Sequence, residues 1–150
     1  MDEKEYKSTY HSINPQCCAF EKAVNSRVCN CSKSQRFNLA DREGVACTHS
    51  LSQQRCSDFL AQLREKARFT LKRLEVDQPL AHNEEIKIQN GGLIGLQGQV
   101  ESQTKRVVED IDALLTLAEQ EFNNLEKFPY SEVMQVITTY KIRERSKRHS

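Results

Sequence analysis

The sequence contains no tryptophan, so its core must be built mainly from Leu, Ile, Val and six Phe. It has no excess of either charge: 22 basic and 21 acidic side chains leave a formal +1. That balance argues against a protein-wide field able to gather nucleic acid or anionic lipid. No apolar run approaches the ~18 residues of a membrane helix, and the polar opening Met1–Ser8 lacks the apolar stretch of an export signal. The expected compartment is the cytoplasm. Repeats and low-complexity tracts are absent too. So are a Ser/His/Asp order, a phosphate-binding loop and a His-Glu-x-x-His pair, which leaves nothing to support a hydrolase or kinase. A non-enzymatic role is expected.

Two near misses are set aside. Asn90-Gly91-Gly92-Leu93-Ile94-Gly95 approaches a dinucleotide-binding loop, but Asn90 stands where that fingerprint needs Gly. A flexible hairpin or a close helix approach explains these glycines better. His82, Glu84 and Glu85 follow Pro79 in what reads as an ordinary exposed turn.

What the chain does have is cysteine: Cys17, Cys18, Cys29, Cys31, Cys47 and Cys56, all within its first half. In a reducing compartment, clustered cysteines more often bind metal or do redox chemistry than form structural disulfides. Cys29-Asn30-Cys31 is the most telling stretch, because two thiolates one residue apart can reach one centre where the backbone turns, and Asn30 permits a turn. The spacing Cys-x-Cys-x15-Cys-x8-Cys matches neither a zinc ribbon nor a common ferredoxin pattern.

Helical periodicity sets the expected framework. Residues 1–13 show no period and read as a loose lead-in. Asn14-Pro15 looks like a helix start, followed by Cys17, Phe20, Val24 and Val28 at helical spacing. A second helix is expected over 34–43, with Gly44 at its left-handed end and Cys47 in the connector after it. Ser50-Leu51-Ser52-Gln53 reads as a capping box, and Cys56, Phe59, Leu60, Leu63, Ala67, Leu71 and Leu74 mark one face of a long helix ending before Pro79. Residues 84–98 suit a strand or a buried helix. A helix is expected over 99–125, and a last one follows Phe128-Pro129-Tyr130-Ser131, burying Val133, Val136, Ile137 and Tyr140. The basic excess over 50–75 and the acidic excess over 100–127 suggest that those helices are neighbours.

The expected fold is therefore all-α: a compact irregular bundle of about five helices with a cysteine-rich corner in the N-terminal half. A single domain over 14–145 would comprise a cysteine-rich part, 14–75, and a helical part, 99–145, joined by a Gly-rich connector, 76–98. Residues 146–150 form a basic tail.

If 15–28 were one helix, Cys18 and Cys29 would stand roughly 16 Å apart along it, too far to share a site. The first-choice metal ligands are accordingly Cys29, Cys31, Cys47 and Cys56. Cys17 and Cys18 are second choices, entering only if the first helix breaks near Asn25-Ser26. An all-cysteine set points to an iron–sulfur cluster, with zinc as the alternative and His49 able to replace one thiolate. Lys33 and Arg42 are nearby cations suited to tuning an anionic centre. The expected role is electron transfer, redox sensing or service as an accessory to a redox enzyme, the expected protein partner. A zinc-stabilised or metal-free helical adaptor and a thiol/disulfide redox protein are the alternatives. Nucleic acid would be met only through the basic C-terminal stretch Lys141–Ser150, which carries Lys141, Arg143, Arg145, Lys147 and Arg148.

Overall fold

In a computed structural model describing residues 2–70, 81–101 and 105–142, the chain is mostly helical, with one small antiparallel sheet. The first correction comes at once: the supposed lead-in contains helix α1, Glu3–Ile13, whose first turn is capped by the Asp2 carboxylate accepting from Glu5 N at 2.7 Å. No residue of α1 is buried. Glu3 instead pairs with Arg42, which lies over the Tyr6 ring, and Tyr10 packs beside Phe37. Polar-tipped aromatics carry the packing face, so no apolar period betrays it.

Asn14 does not start a helix. Its amide donates to Tyr10 Oη (3.0 Å) and to Val45 O (3.1 Å), fixing it between α1 and the sheet. Turns at 15–16 and 19–20 flank the bridge residue Cys17, and helix α2 is confined to Glu21–Asn25, ending where Arg27 takes a positive φ of 68°. The expected helix over 34–43 is a hairpin of β1, Ser34–Leu39, and β2, Arg42–Cys47, with Phe37 opposite Gly44. Ala40 (φ 50°) and Asp41 (φ 69°) both lie in the left-handed region, as a two-residue type I′ turn requires. Neither is the usual Asn-Gly, which is why the turn is hidden in the sequence. Gly44 is there for close approach: a Cβ on it would fall 2.3 Å from Phe37 Cζ.

Helix α3, Ser50–Thr70, buries the expected Cys56, Phe59, Leu60, Leu63 and Ala67. Its cap differs from the expected box: His49 Nδ1 accepts from Ser52 N at 3.2 Å, while Gln53 turns aside to donate to Cys17 O. Leu71, Leu74 and Pro79 lie outside the described residues, as does the basic tail from 143 onward.

The ambiguous stretch is helix α4, His82–Val100, which buries ten residues on several faces and therefore shows no clean amphipathic period. Gly91 and Gly95 let it meet the last helix: added Cβ atoms would lie 2.9 Å from Ile137 Cα and 3.2 Å from Val133 Cα. The glycines thus sit inside a helix, where no phosphate loop exists. The next expected helix starts late. Residues 107–110 run beside 28–30 through Val108 N to Val28 O, Asn30 N to Val108 O and Ile111 N to Asn30 O. Helix α5, Ile111–Phe122, then begins with Asp110 as its cap. A short 3-10 turn, Leu125–Lys127, leads to α6, Tyr130–Thr139, which buries Tyr130, Val133, Met134 and Ile137.

The core is continuous from Phe20 and Val45 through Phe59 and Leu63 to Leu93, Leu115 and Ile137. The charge complement appears as Arg55 of α3 binding Asp112 (2.7 Å) and Glu119 (2.8 Å) of α5. Among the described residues no helix is long and apolar enough to cross a membrane.

Candidate thiolate site

Residues 16–18 run beside 45–47 through one isolated antiparallel bridge. Cys17 pairs with Ala46, Cys18 N donates to Val45 O (3.0 Å), and Cys47 N donates to Gln16 O (2.8 Å). Alternation along a strand then separates the vicinal cysteines. Cys17 faces α1, where its sulfur is 3.1 Å from Tyr10 Oη, and Tyr10 donates in turn to the Glu21 carboxylate, which also accepts from Val45 N. Cys18 faces the other way, onto the side that Cys47 occupies.

The second thiol comes from the 28–34 turn. Asn30 Oδ1 accepts from Cys31 N (2.9 Å), Ser34 closes onto Cys31 O, and Lys33 N–H points at Cys31 Sγ at 3.4 Å. Cys47 ends β2, and its thiol donates to His49 O at 3.3 Å. Cys56 projects from the second turn of α3 and is 8% exposed.

Cys18, Cys31, Cys47 and Cys56 line one small cavity, together with Lys33 and Asp112 and closed by Phe20 and Ile111. Its water-accessible volume is about 10 Å³, room for roughly one water molecule. Among the described residues, no three Cys, His, Asp or Glu side chains are placed to hold a single metal ion.

The grouping departs from the first-choice ligand set at one position. Cys29 lies in the core, 2% exposed, with the Val108 N–H beside its sulfur, and it does not line the cavity. Cys18 lines it in Cys29's place, and Cys17 turns to Tyr10. The condition under which Cys18 would enter is met: the helix expected over 15–28 is absent except for α2, which stops at Asn25. Arg42 binds Glu3, far from its expected role, whereas Lys33 does border the thiols.

Burial sets the protonation of these groups. It pushes Cys18 up to about 12 against the opposing Phe20 N–H, and neighbouring Cys31, Cys17 and Cys47 add to the rise. Burial likewise raises Cys56, and raises Cys31 against the N–H groups of Lys33 and Asp112. Cys29 is also pushed up to about 12, and Cys17 is raised, both by burial. Without a metal these five are neutral thiols near pH 7 and therefore weak nucleophiles.

Two of the cysteine pairs are poorly disposed for a disulfide. Cys17 and Cys18 face opposite sides, and Cys18 and Cys47 are diagonal neighbours across the strand pair, for which Cα atoms stand roughly 7–8 Å apart. That exceeds the roughly 7 Å at which a bridge needs backbone movement.

A larger open groove of about 1100 Å³ adjoins the cavity. Lys33, Ser52 and Asp112 border both, and His49, Arg55 and Glu119 line the groove beyond them. Sequence reasoning missed Tyr10, Glu21 and Asp112, whose contacts join segments distant in the chain. No family model matches the chain, and no curated protein or solved structure matches it.

Proposed function

We propose that the chain is a cysteine-ligated metal-binding protein whose Cys18, Cys31, Cys47 and Cys56 hold an iron–sulfur cluster, serving electron transfer, redox sensing or a redox-enzyme partner. The observation that carries this reading is the meeting of four thiols, from four separate segments, at one cavity. A core has no need to collect four sulfurs at one point, whereas a metal centre does.

The preference for a cluster over a single ion rests on the all-cysteine donor set. Structural zinc also takes four cysteines, with Zn–S bonds of about 2.3 Å, so zinc is the alternative at the same thiols. Loading requires the sulfurs to swing outward, since the cavity holds little more than one water. Three of the four lie outside helix, in the 16–20 segment, the 28–34 turn and the end of β2. Lys33 at the cavity wall offsets part of the negative charge that the loaded site acquires.

The test is iron, zinc and acid-labile sulfide content, with a visible spectrum, on protein purified without oxygen. Iron with equivalent sulfide and a brown colour is expected. Zinc alone would shift the reading to a structural adaptor, and free thiols without metal would overturn it. Cys18→Ser should abolish loading while Cys29→Ser preserves it; the reverse would reinstate Cys29 as a ligand.

A further inference from the structure

A groove of about 1780 Å³ runs between the second half of α3 and α6. We propose that it docks an amphipathic helix of a partner protein, one that carries acidic residues beside its apolar stripe. The thiols do not line this groove, and the proposal does not depend on them.

Phe128, Tyr130 and Met134 line the groove and are themselves buried. The two rings rest on Phe59 of the core, with centroids 5.5 and 6.2 Å from it, so the apolar floor is in place before any ligand arrives. Phe69 also lines the groove, yet it is 88% exposed. A large ring left in water beside an apolar floor, with polar side chains around it, marks an interaction surface.

The walls define what fits. Residues Ala61 to Thr70 of α3 and Tyr130 to Thr138 of α6 border the groove, which gives each wall about 12–14 Å at 1.5 Å per residue. That length suits a helix whose apolar anchors recur at i, i+3 or i+4, and i+7. Both walls are helices, so an extended strand finds no sheet edge to join.

Charge then selects among helices. The α3 wall offers Arg64, Lys66 and Arg68 against Glu65, whereas Ser131, Gln135 and Thr138 keep the α6 wall neutral. Glu85 anchors Arg64 at 2.7 Å, and Lys66 Nζ lies 4.8 Å from the centre of the Tyr130 ring, which holds that ammonium at the apolar floor. An acidic flank on the incoming helix meets the α3 wall with opposite charge, and a basic flank meets like charge.

The experiment sorts a displayed library of helical peptides, each about 16 residues or roughly four turns long, with one face and both flanks randomised. Selection is for the full chain and against Phe69→Ala, whose exposed position leaves the fold intact, as circular dichroism checks. Enriched peptides should carry Leu, Ile or Phe at i, i+3 or i+4, and i+7, with Asp or Glu along one flank. One such peptide, followed by fluorescence anisotropy, should bind Phe69→Ala at least about tenfold more weakly, as loss of an aromatic anchor does. Lys66→Gln should weaken it several-fold, and added salt should weaken it further. Failure to enrich any peptide that depends on Phe69, or enrichment of basic flanks, would overturn the proposal. So would a parent chain that sediments as a dimer when Phe69→Ala is a monomer, which would give the groove to a second copy. Phe69-dependent binding to vesicles of anionic phospholipid, with no peptide enriched, would give it to a membrane surface instead.

Discussion

Helices α4 and α6 meet almost backbone to backbone, whereas the segments around the thiols are joined by hydrogen bonds, turns and ion pairs. In the first region Gly91 and Gly95 leave no space: added Cβ atoms would crowd Ile137 and Val133. In the second, α1 buries no residue, β2 is one of two strands among the described residues, and 16–18 and 28–30 attach through a few backbone bonds each. Close apolar packing leaves no room for an added atom at Gly91 or Gly95. Polar attachment holds the other half through individual hydrogen bonds and ion pairs.

The comparison breaks most sharply at Gly91. Gly91→Val should destabilise the protein by about 2–3 kcal/mol, because its Cβ meets the Ile137 main chain at 2.9 Å rather than the end of a flexible side chain. Urea denaturation should show that loss equally with and without metal, since the contact lies in the packed half.

Alkaline pH should act on the other half. Cys18 and Cys29 rise from 9.0 to about 12 through burial, and Cys56 and Tyr10 are raised as well. Above pH 9 the unfolded chain therefore releases protons that the folded chain retains, so the stability of metal-free protein should be intact below pH 9 and fall steadily towards pH 12. Metal-loaded protein should resist that fall over the part due to Cys18 and Cys56, whose sulfurs are already deprotonated. Thermal melts at several pH values, with and without metal, give both curves; parallel curves would remove those thiols from the site. The same linkage makes loading tighter as pH rises from 6 towards 9, because metal and proton compete for the raised thiols.

Tyr10→Phe sharpens the comparison further. Its hydroxyl joins Cys17, Glu21 and Asn14 and so ties α1 to the sheet. Its removal should cost about 1–2 kcal/mol and speed amide exchange in α1, leaving metal content unchanged because Cys17 does not line the cavity. The smallest effect is at the hairpin turn. Ala40→Gly relieves a left-handed alanine and should stabilise by about 0.5–1 kcal/mol, seen as a modest rise in the melting midpoint.

The uneven legibility of the chain follows the same division. Helices α3, α5 and α6 could be read because one face of each is apolar at a regular helical period. Helix α4 could not be told from a strand because it is buried on several faces and its period is blurred. Tyr6 and Tyr10 pack α1 through rings with polar tips, and the Ala40-Asp41 turn lacks the glycine that usually announces a hairpin. Each miss is a place where a contact between distant segments overrides local preference, as when Asn14 binds Val45 O rather than capping a helix.

By itself the sequence determined that this is a mostly helical chain with balanced charge and that its six thiols fall in its first half. It also marked Cys31, Cys47 and Cys56 as residues able to gather. Only the tertiary structure decided that Cys18 joins them and Cys29 does not. The reason is long-range pairing: 16–18 lies beside 45–47, and 28–30 lies beside 107–110. The alternation of side chains across those pairings, which no local spacing encodes, turns Cys18 towards the cavity and leaves Cys29 in the core.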